Sequence, residues 1–421
     1  MLSIETDEKK KGARTMQIIE GKYNTAKVYT DQMEDSCREQ IQAILDQEAF
    51  RDAQIRIMPD CHAGAGCVIG FTADLQDKVI PNVVGVDIGC GMYTVALGKV
   101  DIDFPRFDAV IRTSVPYGHA VHPGRLVHFP ELQTMYCYRA LKNTKRIERS
   151  LGTLGGGNHF IELDRDANGN VYLVIHSGSR NLGKQVALYY QQIAVKLHTG
   201  WEKLWKAEQK VIAEYKASGR RQEIQGVLKA MQKDFKEQAA DVPHDLCFLT
   251  GAYTQQYLHD MNICQTFADK NRQLMAQIIL ETYGLRAQDA FTTVHNYIDP
   301  ASNIIRKGAV SAQQDEPLLI PINMRDGALL CRGKGNADWN YSAPHGAGRV
   351  YSRTEARAKL KFSDFQQTMR DAGIYSTSVK PETIDESPMA YKGMVDILKN
   401  IAPTADIVKI IRPIYNFKAD N

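Results

Sequence analysis

The feature that most constrains this chain is how its short apolar runs stop. Val171–His176 and Phe291–His295 end in a histidine, and His159–Leu163 begins with one. Runs of this length between turn-forming residues read as buried strands. Ile55–Met58, Val79–Val86 and Leu329–Arg332 have the same character, whereas Ser36–Gln47, Lys184–Leu197 and Asp260–Tyr283 carry helical spacing. The class implied is a mixed α+β protein, with central sheets surrounded by helices and chemistry-bearing residues at strand ends.

Trp201–Ala240 differs in texture. Trp201, Leu204, Trp205, Val211, Ile212 and Tyr215 form one apolar stripe, Ser218-Gly219 interrupts it, and Ile224, Val227, Leu228, Met231 and Phe235 form a second. This spacing predicts a helical hairpin over about 201–240. Residues 1–15 are charged and without pattern, and are expected to be a flexible tail ahead of one catalytic domain spanning 16–421. A content of 43% hydrophobic and 24% charged residues excludes collagen-like, coiled-coil and wholly disordered chains. No run reaches the roughly 18 apolar residues of a spanning helix, and the first residues are polar where a signal peptide is apolar. A cytoplasmic protein with no membrane partner is expected. With 52 basic against 49 acidic side chains, a nucleic-acid partner would need a local basic patch.

The eight cysteines include no C-x-x-C pair and read as reduced thiols, most of them small core residues. Cys90 stands apart. In Val84-Gly85-Val86-Asp87-Ile88-Gly89-Cys90-Gly91 an apolar run gives way to a turn presenting Asp87 and Cys90 three residues apart, half of a transition-metal site by ligand type. Gly152–Glu162 is a glycine-rich turn leading to His159, and it has neither the ending of a Walker A loop nor a Rossmann fingerprint. Taken singly, Asp87, Cys90, His159, His176 and His295 each have an ordinary reading as a cap, a core thiol or a turn histidine. Together they suggest a binuclear metal site. His345, held between Pro344 and Gly346 and followed by Arg349, suits a nucleophile or phosphate contact better than a metal ligand, although an exposed turn histidine has the same spacing.

Asp87–Gly91, Gly155–Glu162, His176–Arg180, Arg306–Val310 and His345–Arg349, with Met58–His62 and Asp385–Lys392, resemble the RtcB family of RNA-splicing ligases. The resemblance runs in order from about residue 16 to the C-terminus and is weakest over the helical hairpin. It implies an RtcB-like fold and a GTP-dependent enzyme that uses two Mn²⁺ to join an RNA 3′-phosphate or 2′,3′-cyclic phosphate end to a 5′-hydroxyl end. On the family pattern Asp87, Cys90 and His159 hold one metal, and Cys90 bridges to a second held by His176 and His295. His345 matches the nucleophile that becomes guanylylated. Asn158, Glu162, Asn323, Gly346, Ala347, Gly348, Tyr391 and Lys418 fall at nucleotide-binding positions, and an archease-like protein is a further partner the family brings.

The chain also departs from the family. Asn323 and Ala328 stand where serines are usual, Gln313-Gln314-Asp315-Glu316 where Arg and Gly are usual, and Ala65 where a lysine is common, the marks of a divergent paralogue. Arg180, Arg306, Lys307, Arg349 and Arg353 all lie near these motifs, which suits a phosphate-rich substrate, although surface arginines are common. A two-metal phosphoesterase acting on RNA ends, or a catalytically silent RNA-binding protein, could share part of this pattern. A lysine-nucleophile ligase is disfavoured because no K-x-D-G occurs, the nearest string being Met324-Arg325-Asp326-Gly327.

Overall fold

The computed structural model describes residues 16–419, so the expected tail at 1–15 lies outside the described residues. The chain opens with β1 (Gln17–Glu20), β2 (Thr25–Val28), α1 (Asp35–Leu45), β3 (Gln54–His62), β4 (Ile69–Asp74), α2 (Pro81–Val84) and β5 (Gly91–Gly98). It continues through α3 (Phe104–Ser114), α4 (Thr144–Arg149), β6 (Phe160–Arg165), β7 (Val171–Ser177), α5 (Arg180–His198), α6 (Trp201–Ala217), α7 (Ile224–Asp234) and α8 (Gly251–Tyr283). The last third holds β8 (Asp289–Val294), β9 (Asn296–Ile298), β10 (Ile304–Lys307), β11 (Ala309–Ser311), β12 (Pro317–Asn323), β13 (Gly327–Gly333) and β14 (Ser342–Pro344). It closes with α9 (Arg353–Lys359), α10 (Phe362–Asp371), α11 (Met394–Asn400) and β15 (Ala405–Lys418).

These strands form a mixed α/β architecture. One sheet has six strands in the order β1-β2-β3-β4-β10-β9, another has seven in the order β12-β13-β15-β6-β7-β5-β8, and β11 pairs with β14. β7 is buried at every residue, as a continuous apolar run in mid-sheet should be. Across the second sheet lies α8, whose stripe Tyr257, Met261, Cys264, Phe267, Ala268, Met275 and Ile279 repeats at three and four residues and is buried throughout. It ends at Gly284, which takes the left-handed φ of 92° that stops a helix without a side-chain clash. α6 and α7 occupy the segment read as a hairpin, with Ser218 and Gly219 between them.

One element differs from expectation. Val79–Val86 is not a strand: Val79 makes a single bridge to Leu249, and α2 follows. Pro81 at the first helical turn presets φ and forfeits no needed N–H, while Gly85 at φ 94° ends the turn, so Pro81–Val84 coils instead of extending. All eight cysteines are buried free thiols, as their spacing implied.

Candidate active site

The seven-stranded sheet explains how residues 200 positions apart meet. Adjacent strands β6, β7, β5 and β8 are antiparallel neighbours, with Phe160 opposite His176, Gly91 opposite Ser177 and Gly91 opposite Val294. His159 therefore just precedes β6, His176 lies near the end of β7, Cys90 just precedes β5 and His295 just follows β8, all at one edge of the sheet. The His295 N–H donates to the Cys90 carbonyl at 2.9 Å and that of Gly89 to the Asn296 carbonyl at 2.8 Å. From α8, buried Arg272 donates to the carbonyls of Gly89 and Ser177, each at 2.8 Å, and Asn271 accepts the N–H groups of Gly152 and Thr153. These bonds clamp three of the turns that carry the cluster.

Cys90 Sγ stands 3.2 Å from His176 Nε2 and 3.5 Å from His159 Nε2, and His159 Nε2 stands 3.0 Å from Asp87 Oδ2. Asp87, Cys90 and His159 form one group of potential ligands, and Cys90, His176 and His295 another, each with its ligand atoms within 4.8 Å of one another. His159 Nδ1 faces the Leu154 carbonyl at 2.9 Å and His176 Nδ1 faces that of Asn158 at 3.1 Å. Donation there fixes the proton on Nδ1 and leaves the Nε2 lone pair directed at the thiol, as in histidines that bind a cation through Nε2. Among the described residues, His295 Nδ1 is buried without a hydrogen-bond partner. Burial holds His176 and His295 well below the ordinary histidine range, so both are neutral, the ligating form. Burial and then Asp87 push the Cys90 thiol well above its usual range, a position that a bound cation reverses. Gly178 leaves room for the acid, since a Cβ there would sit 2.1 Å from Asp87 Oδ1. By donor chemistry and grouping, these five residues fit two divalent cations sharing Cys90.

His345 reaches the same place from the two-stranded sheet and is held there by the six-stranded one. It follows β14, and its ring centroid is 5.0 Å from that of His295. Asp60, fully buried on β3, orients it: Asp60 Oδ2 accepts from His345 Nδ1 at 2.7 Å, from the His345 N–H at 3.1 Å and from the Gly346 N–H at 3.2 Å. Donation from Nδ1 to Asp60 leaves the ring's lone pair on Nε2. Gly348, at φ 78°, admits the close crossing, because a Cβ would lie 2.4 Å from the Asp60 carbonyl oxygen. Beside it, His62 is half-buried, and desolvation holds it down to about 4.

A cavity of about 730 Å³ opens in front of His345. His345, Gly346, Ala347, Gly348, Asn158, Glu162, Asn323, Tyr391 and Lys418 all line it, as does His176. At one end Lys418 Nζ binds Glu386 Oε2 at 3.0 Å, and the Tyr391 hydroxyl donates to the same oxygen at 2.6 Å. Burial alone would raise Glu386, but Lys418, Arg353 and Arg349 outweigh it and keep the acid below its ordinary range. Glu162 accepts from Asn416 Nδ2 at 2.5 Å, and burial pushes it up to about 7. Asn323 is turned inward on its own loop, accepting from the N–H groups of Arg325 and Asp326 and donating to Asp326.

The basic groups divide in a way the sequence did not reveal. Arg306 is fully buried and spends its guanidinium on Ser342 Oγ, the Tyr297 hydroxyl and Asp299, and Lys307 donates to the carbonyls of Ala65 and Asn82. Both are braces instead of phosphate contacts. Arg349 and Arg353 line the cavity, Arg353 with 41% of its side chain exposed. Asp60, Glu386 and Asn416 were not assigned roles from sequence. The first two stand inside motifs quoted above, so the motifs were the available signal.

A family description, tRNA-splicing ligase RtcB, matches residues 48–135 and 131–419. The chain belongs to the RtcB family. It is 30% identical over 400 residues to the RNA-splicing ligase RtcB of Escherichia coli K12, covering 85% of this chain and 87% of that protein. It is 26% identical over 451 residues to the tRNA-splicing ligase RtcB of Aeropyrum pernix, covering 85% and 86% respectively. RNA-splicing ligase RtcB2 of Escherichia coli ATCC 25922 is 24% identical over 404 residues, with 86% of each chain covered. The mixed sheets and surrounding helices are those of an RtcB-like fold, and no described helix is long and apolar enough to cross a membrane.

Proposed function

We propose that this RtcB family member is an RNA ligase that joins 3′-phosphate or 2′,3′-cyclic phosphate ends to 5′-hydroxyl ends, using GTP and two Mn²⁺ in cytoplasmic RNA repair or tRNA splicing. The observation that carries the reading is His345, fixed by Asp60 with Nε2 free, beside a cluster of metal-ligand type and on the wall of a nucleotide-sized cavity.

Asp87, Cys90, His159, His176 and His295 would hold the cations, whose part is to offset charge on phosphate oxygens. His345 Nε2 attacks the α-phosphorus of GTP; the N–P bond forms as the bond to pyrophosphate breaks, and pyrophosphate leaves with the bonding pair. Asp60 keeps the Nδ1 proton and balances the positive charge that grows on the ring. Asn158 and the Gly346–Gly348 turn bound the phosphate side of the cavity, while Glu162, Asn323, Tyr391 and Lys418 bound the base and ribose side. The guanylyl group then moves to the RNA 3′-phosphate, freeing His345, and the 5′-hydroxyl displaces GMP to seal the strand. A cyclic phosphate is first opened by water. An archease-like partner belongs to turnover between these steps.

The test is incubation with α-labelled GTP and, separately, ATP in the presence of Mn²⁺. An acid-labile, base-stable guanylyl adduct mapped to His345 is expected, followed by joining of defined RNA ends. No adduct with either nucleotide would refute the ligase reading in favour of hydrolysis of RNA ends or binding alone.

A further inference from the structure

His62 closes β3, two residues past Asp60, and takes no part in fixing His345. Its Nδ1 stands 3.0 Å from the Asp60 carbonyl oxygen. A carbonyl only accepts, so Nδ1 carries the proton and the lone pair is on Nε2. Among the described residues Nε2 has no hydrogen-bond partner, while the ring forms part of the cavity wall. A side chain held down to about 4 stays an acceptor at neutral pH. The ring centroid is 6.5 Å from that of His345, with 21° between the two planes. The surface around it is built in advance: Ile69 on β4 pairs with His62, and Gln40 of α1 holds the N–H and the carbonyl of Gly64 at 3.1 and 2.7 Å. Two cations beside it are spent within the protein, Lys392 on the Gln32 and Cys61 carbonyls and Lys307 on those of Ala65 and Asn82. The rest of this stretch of wall is Glu34, Ser36, Ala63, Gly64, Ala65 and Ile69, with no cation among them. Such a surface suits a hydroxyl donor and not a phosphate oxygen.

We infer that His62 contacts the RNA strand bearing the 3′-phosphate, its Nε2 accepting a hydrogen bond from the 2′-hydroxyl of the terminal ribose. The inference rests on the ligase reading and concerns which strand the site admits. In the transfer step an oxygen of the 3′-phosphate attacks the phosphorus carried on His345 Nε2, so that phosphate lies against the His345 ring. The 2′-oxygen is its immediate neighbour, near enough to close a ring on it in a 2′,3′-cyclic end. A hydroxyl there falls between the phosphate and the next imidazole along the wall, which is His62. The ribose of the nucleotide lies on the side bounded by Glu162, Asn323, Tyr391 and Lys418, and is not the donor. A deoxyribose end has no donor to offer and leaves the Nε2 lone pair facing a carbon. The contact thereby separates an RNA 3′ end from a DNA one.

The experiment starts from the guanylylated full chain and measures single-turnover transfer to a 3′-phosphate strand that is all RNA or carries one terminal 2′-deoxy residue. The unsubstituted chain is expected to favour the ribose end by about threefold to tenfold, the worth of one neutral hydrogen bond. In His62→Ala the preference should fall to about one, while His62→Gln, whose amide oxygen replaces the Nε2 acceptor, should retain part of it. Each value is a ratio of rates on two strands by one protein, so a general loss of rate or of folded protein cancels. A purely structural role for His62 lowers both rates together and leaves the ratio where it was. An unchanged ratio in His62→Ala, or no ribose preference in the unsubstituted chain, would overturn the inference. Two further arms locate the hydroxyl: a 2′-deoxy residue at the 5′-hydroxyl end in the sealing step, and 2′-deoxy-GTP in the first step. Discrimination that His62→Ala removes in either of these arms, and not in transfer, puts the contact on a different ribose and likewise overturns it. Failure of the ligase reading has a different signature, no guanylyl adduct on the unsubstituted chain from which to start.

Discussion

Replacing Asp60 tests the proposed nucleophile through a residue that does not itself react. Its Oδ2 accepts three hydrogen bonds, from His345 Nδ1 and from the N–H groups of His345 and Gly346, and its Oδ1 is buried without a partner among the described residues. In Asp60→Asn the amide oxygen can take over all three contacts, so Nδ1 keeps its proton and Nε2 still faces the cavity. Only the charge is lost. As Nε2 bonds to phosphorus the ring becomes cationic, and a charge-assisted bond worth about 1.5–3 kcal/mol is replaced by a neutral one worth about 1 kcal/mol. The difference of about 0.5–2 kcal/mol corresponds to a slowing of about 2- to 30-fold. The amide NH₂ placed at the unpartnered Oδ1 position adds a cost of about 1–3 kcal/mol that falls on stability instead of rate. Asp60→Ala removes orientation and tautomer control as well, and should slow the step by about 10²- to 10⁴-fold. Single-turnover formation of the labelled adduct, followed by rapid quench at saturating GTP, reads both values. If the alanine variant reacts within about threefold of the unsubstituted chain, Asp60 does not activate His345 and the reasoning fails.

His345→Ala should abolish both the adduct and joining while leaving the urea midpoint nearly unchanged, because the ring's polar partner is Asp60 and its face borders the cavity; joining by this variant would remove the proposed intermediate. Cys90 is shared by both ligand groups, so Cys90→Ala should bring down metal content, measured by elemental analysis of the purified protein, together with both chemical steps; full metal occupancy in that variant would contradict the assignment. Glu162 supplies a pH test. Its folded value of about 7 lies above its ordinary 4.5, so the folded chain holds an extra proton between the two, and this contribution to stability is greatest below about 4.5 and declines as pH rises toward 7. Glu162→Gln should therefore improve the urea midpoint more at about pH 8 than at about pH 5, and an equal effect at both would show that Glu162 is not raised.

Strand identity was legible where the apolar runs were flanked by unambiguous turns, as at Val171–Ser177, and helix identity where the stripe ran long, as in α8. Val79–Val86 was misread because a short apolar run has no period to consult, and Pro81 decided the outcome locally. The ligand types of Asp87, Cys90, His159, His176 and His295 beside glycine turns made the candidate cluster legible, and the sheet brings their ligand atoms into two groups. The partner of His345 was not, because Asp60 lies 285 residues away and a sequence does not state long-range contacts. Arg306 and Lys307 show the converse error. A cation within a motif announces charge, but not whether its partner is a phosphate or the protein's own hydroxyls and carbonyls.

The two sheets divide the proposed chemistry between them, and the division has a physical reason. Every metal-ligand candidate stands at one edge of the seven-stranded sheet, where the ladder of β6, β7, β5 and β8 fixes their mutual distances. The nucleophile candidate hangs from β14 and is held by Asp60 of the six-stranded sheet. The link between them is short: His295 ends the β8 side, Asn296 begins β9 in the other sheet, and the Gly308 N–H returns to the His295 carbonyl at 2.7 Å. A nitrogen that must attack a phosphorus held near a cation cluster needs a fixed reach to that cluster without being drawn in as a further ligand. Anchoring His345 through Nδ1 to a carboxylate of the opposite sheet satisfies both requirements. The imidazole is tied from behind by Asp60, and its ring stands 5.0 Å from that of His295.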